Sequence, residues 1–128
     1  MNTGKKHIPE LHNEHQDFMS SINFYRDDIK ALQARLEEVA GKNTKVEVTS
    51  QIEHFQNQFI RQLEVADELE HKIKLHEQEL AKNVADNPVA YQHRTTDDHA
   101  TLRDEMETYK NIYTELRNHF NRFLEEVM

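Results

Sequence analysis

Residues 52–80, IEHFQNQFIRQLEVADELEHKIKLHEQEL, contain neither glycine nor proline. Within them Ile52, Phe55, Phe59, Gln62, Ala66, Leu69, Ile73, His76 and Leu80 recur at alternating spacings of three and four. That is the a/d repeat of a helix that buries one continuous stripe. Charged and amide side chains fill most other positions. The stretch predicts one long amphipathic helix, because no strand of this length would keep a period near 3.5.

Working outward, Val48 extends the seam, and Thr44 with Glu47 reads as a capping box. The helix is predicted over 45–86. Gly41 suits the residue just past the end of a preceding helix, and Pro9 suits the first turn of that helix. The first helix is therefore predicted over 9–40. Its seam runs Ile8, Leu11, His15, Phe18, Ile22, Tyr25, Ile29, Leu32, Leu36 and Val39. Pro88 marks a connector, and Thr95 to Asp98 reads as a cap with acids at the positive helix end. The third helix is predicted over 97–127, with the seam His99, Leu102, Met106, Tyr109, Tyr113, Leu116, Phe120, Phe123 and Val127. The fold class is all-α: one domain, residues 1–128, of three long amphipathic helices in an antiparallel, coiled-coil-like bundle, joined by connectors 41–44 and 87–96. Sustained heptads predict left-handed supercoiling.

Helix lengths carry a further expectation. At 1.5 Å per residue the outer helices should span ~45–50 Å and the middle one ~60 Å. His15 would then lie level with Leu69, and Val127 would reach only Phe55. The hairpin tip would lack its third helix, leaving Leu32, Leu36, Val39, Val48 and Ile52 half covered in a two-stranded coiled coil, unless the third helix is shifted or a second chain covers them. An exposed apolar stripe marks an interaction surface, so the tip is the expected contact of a self-associating protein, most simply a twofold homodimer. Tyr91, in the second connector, is the other candidate contact.

The totals exclude several classes. The net charge is -8 and no basic patch occurs, so phosphate neutralisation has no source and nucleic acid is not an expected partner. Mean hydropathy is -0.95, and no stretch approaches the ~20 apolar residues of a membrane span. No cysteine is present, which removes disulfides and thiolate sites. Residues 1–15 lack the apolar core of a signal peptide, so a cytoplasmic location is expected.

Chemistry is sparse. Only Ser20, Ser21 and Ser50 offer a serine nucleophile, and no glycine-rich turn surrounds them. With no catalytic motif, the expectation is a non-enzymatic protein that needs no cofactor. The exception is histidine, of which there are nine. Seven fall towards one end of the predicted bundle: His7, His12, His15, His71, His76, His93 and His99. Imidazole and carboxylate together suit zinc or iron. Of these, only His12 and His15 share one helix at chelating spacing. Glu68 and His71 form a lone Glu-x-x-His pair whose histidine points to solvent by the heptad count. His15, His76 and His99 occupy seam positions, where a polar residue can set register or respond to pH. A metal site drawn from His12, His15, His71, His76 and His99 is the alternative to the scaffold or adaptor reading.

The segment IEHFQNQFIRQL (52–63) and the closing residues 102–128 resemble a group of short bacterial helical proteins whose function is uncharacterised. The resemblance covers most of the chain, contains no catalytic motif and implies no activity. Likeness to spectrin-type repeats is shared architecture only.

Overall fold

A computed structural model describes the backbone of residues 3–83 and 88–128, and the side chains of 9–82 and 99–128. Three helices are present: α1 (Thr3–Lys42), α2 (Val46–Asn83) and α3 (Pro88–Val127). No strand occurs among the described residues. Among the described residues no helix is long and apolar enough to cross a membrane.

Side-chain contacts define the helix directions. Tyr25 meets Tyr109 and Tyr113, and Asp28 meets Tyr113 and Arg117, so α1 and α3 ascend together. His15 meets Glu77 whereas Arg26 meets Glu70 and Asp67, so α2 runs against both.

The seams are buried as the repeat predicts. Near the α1–α2 hairpin, Ile29, Leu36, Val39, Phe55, Phe59, Phe120 and Phe123 join one apolar cluster. The rings of Phe55, Phe59, Phe120 and Phe123 lie 5.1–6.3 Å apart. Such pairs add about 0.5–1.5 kcal/mol each beyond the area they bury. A second cluster holds Ile22, Ala66, Leu69, Ile73, Leu102, Met106 and Tyr109. Gln62 falls between the two in the α2 seam. It is 5% exposed, and its Oε1 has no partner. The buried Tyr109 donates to the Gln62 backbone carbonyl at 3.3 Å, and Tyr113 donates to Asp28.

Helix ends differ from expectation in ways that change the register. α3 starts at Pro88, so 88–96 is helix rather than connector and Thr95 to Asp98 is not a cap. Proline is well suited to open a helix. Threonine and aspartate in a helix interior cost at most about 0.7 kcal/mol each, too little to stop it. α1 starts at Thr3, which places Pro9 inside the helix, where it has no N–H for the Lys5 carbonyl. Gly41 lies in the last turn of α1 and no described glycine has positive φ. The carbonyl of Val39 is instead capped by Asn43 Nδ2 at 2.9 Å.

The helices are consequently matched in length, at 40, 38 and 40 residues. His15 lies beside His76 and Glu77 rather than Leu69. At the other end α3 reaches the hairpin tip, and Val127 packs on the same cluster as Val48. Leu32, Leu36, Val39 and Ile52 are at most 9% exposed, and Val48 is half-buried. The half-covered tip expected from the shorter third helix is therefore corrected: α3 covers it.

Candidate metal centre

Beyond the second apolar cluster the seams of all three helices carry histidine. His15 comes from α1, His76 from α2 and His99 from α3. The His15 ring lies 5.7 Å from that of His76 and 5.0 Å from that of His99. One nitrogen from each of the three lies within 4.8 Å of the others. His15 and His99 are each 1% exposed, and His76 is half-buried. Phe18 stacks on His99 at 6.0 Å.

Each buried imidazole has a carboxylate on one side. Glu77 Oε1 is 2.5 Å from His15 Nδ1, and its other oxygen is 2.8 Å from Nδ1 of the exposed His12. Glu14 Oε2 is 3.1 Å from His99 Nε2, too far off line for a good hydrogen bond. Arg103 holds Glu14 from outside, with Nε at 2.5 Å and Nη2 at 2.8 Å.

The remaining nitrogens are unsatisfied. His15 Nε2 and both ring nitrogens of His99 are buried without a hydrogen-bond partner. An orphaned buried polar group costs about 1–3 kcal/mol, so a layer holding three of them is unusual unless something binds there. Metal-ligating histidines commonly present one nitrogen to the ion and the other to a carboxylate, which fixes the ring and raises its basicity. His15 with Glu77 has that arrangement, and His99 with Glu14 approximates it.

The electrostatics agree. Burial pushes the His99 imidazolium pKa down, against the opposing pull of Glu14. The Arg103 guanidinium, with help from His99, holds the Glu14 carboxyl below its ordinary value despite burial. The state favoured near neutrality pairs a neutral imidazole with an ionised outer carboxylate, which is the form that ligates metal.

The sequence-derived candidates thus separate. His15, His76 and His99 converge. His12 is exposed and reaches the group only through Glu77, while His71 points to solvent as the heptad count predicts. The side chains of Tyr91, His7 and His93 lie outside the described residues. Glu14 and Glu77, acids that the sequence already places at the histidine end, sit at i−1 and i+1 beside the seam residues His15 and His76, at the rim of the stripe.

The fold and site together define an all-α three-helix bundle with a histidine layer across its core at one end. No family model, curated protein or solved structure matches the chain.

Proposed function

We propose that this protein binds a divalent transition metal through His15, His76 and His99. The observation that carries the reading is the convergence of one seam histidine from each helix, each with a ring nitrogen within 4.8 Å of the others, together with the buried, unpartnered nitrogens of His15 and His99. Three neutral imidazoles suit zinc, iron, nickel or copper. A tetrahedral zinc with bonds of about 2.0–2.1 Å sets its ligand nitrogens about 3.3 Å apart. The three histidine nitrogens all lie within 4.8 Å of one another, near enough for side-chain rotation to reach that spacing. Because each helix gives one ligand, the ion would clamp the end of the bundle, coupling metal binding to folding. Three protein ligands also leave a position for water or an outside group.

Elemental mass spectrometry of untagged protein, purified without chelator, tests this. A near-stoichiometric transition metal that is lost in His15→Ala and His99→Ala is the expected result. No bound metal, and no rise in melting temperature with added zinc, would reduce the layer to a register-setting polar feature.

A scaffold or adaptor role is the second reading, and the hairpin tip no longer motivates it. What favours it is the exposure of Phe24, Ile60, Leu75 and Ile112, each above 40%. Light scattering at tens of micromolar (a range typical of weak homodimers) decides whether these faces pair two copies.

A further inference from the structure

His15 and His99 are nearly sealed, so an ion that reaches them needs a way in. We infer that His12 and Glu77 form an outer station through which a divalent transition-metal ion enters and leaves the His15–His76–His99 centre; this rests on the proposed metal binding.

Three features of the site point to that route. The first is the carboxylate itself. Glu77 joins the two environments, with one oxygen on exposed His12 at 2.8 Å and the other on buried His15 at 2.5 Å. The His12 side chain is 48% exposed and that of His15 is 2% exposed. An ion taken up between His12 and Glu77 is already one carboxylate away from an inner ligand. Imidazole and carboxylate are both ligands that zinc and iron accept.

The second feature is the groove. An open groove of about 680 Å³ lies between α1 and α2, lined among others by His12, His15, Met19, Ile73 and Glu77. It brings His15, an inner ligand, to a surface opening.

The third is charge. On the opposite face, between α1 and α3, both Glu14 oxygens are taken by Arg103. A cation approaching there meets a guanidinium. On the α1–α2 face it meets the Glu77 carboxylate, and Lys74, which also lines the groove, has its ammonium paired with Glu70 at 3.6 Å. A carboxylate beside the opening draws cations to it.

A station on the path alters rates in both directions and leaves the equilibrium alone. The test is stopped-flow loading of the full chain with cobalt(II), followed by its absorbance, and chelator-driven release of the same ion. His12→Ala removes the outer ligand from an exposed position, so folding is spared; circular dichroism checks that. His71→Ala, at an exposed histidine on α2, is the control. We expect His12→Ala to slow loading and release by the same factor, on the order of tenfold, with an unchanged cobalt affinity and an unchanged control. Unaltered rates in His12→Ala would overturn the route while the metal site stands. Weakened affinity with faster release would overturn it differently, by making His12 a resident ligand. If the parent protein takes up no cobalt at all, the metal reading fails and the route fails with it.

Discussion

His15 on α1 and His99 on α3 lie with ring centroids 5.0 Å apart, and His15 Nε2 and both ring nitrogens of His99 are buried without a hydrogen-bond partner. In metal-free protein such a pair is a burden. Replacing both partners of an unsatisfied polar contact by apolar side chains is close to neutral or stabilising. The double variant His15→Leu/His99→Leu is therefore expected to match or exceed the metal-free parent in urea denaturation. It should also lose all stabilisation by zinc. A parent protein clearly more stable than the variant in excess chelator would show that the histidines contribute stability unaided.

Acid should loosen the same end. Burial lowers the folded-state pKa of His99, which is faced by Glu14 and His15 of α1, His76 of α2 and Arg103 of α3. Its contribution is therefore complete above the unfolded histidine value of about 6.5 and declines as pH falls below it. Glu14, also lowered, adds a second loss as pH drops below its ordinary value of 4.5. Melting of metal-free protein should thus fall from about pH 7.5 to about pH 5.5 and again below about pH 4.5. A melting temperature that stays level over the first interval would contradict the His99 assignment.

Alkali should act elsewhere, at the mid-bundle tyrosines. Burial pushes both Tyr109 and Tyr113 up to about 12. Beside Tyr113, hydrogen bonding to Asp28 acts in the same direction. A raised tyrosine pKa gives stability that is present below the unfolded value of about 10 and is lost as pH rises towards 12. Ultraviolet titration of the folded protein should show part of the tyrosine absorbance change delayed beyond the ordinary range. Tyr113→Phe should remove one delayed component; a single ordinary titration in the parent would refute the burial argument.

At the hairpin tip, Leu36→Ala and Ile52→Ala should behave as core truncations. Both side chains are under 10% exposed, packed with Phe55, Leu116 and Phe123. A loss of about 2–5 kcal/mol is expected for each. Denaturant midpoints measure it. Wild-type stability combined with a reduced oligomer mass would instead restore the tip as an interface.

Gly41 offers a gain. It is helical and exposed, its φ is negative, and an added Cβ meets nothing within 4 Å. Gly41→Ala should therefore stabilise the protein by about 0.5–1 kcal/mol through lower unfolded-state entropy and better helix propensity. A lower denaturant midpoint would mean that the last turn of α1 needs the glycine.

By itself the sequence determined the helices and their inner faces. A three-four repeat unbroken from Ile52 to Leu80 admits one regular structure, and it names Phe55, Phe59, Leu69 and Ile73 as core before any partner is known. It also marked His15, His76 and His99 as seam positions, because a seam is a local property of one helix. What it left open was register between helices, which depends on where each helix starts and how far it runs. Thr95 to Asp98 looks like a helix start and is helix interior, since propensity costs there are small against continuing a helix already begun at Pro88. That shift carries Val127 to the hairpin tip and closes it. Only the tertiary structure decided that three seam histidines share one layer, and that Glu77 and Glu14 stand behind two of them. Convergence across three helices is a matter of axial offset and rotation, and neither is written in the spacing of any one helix.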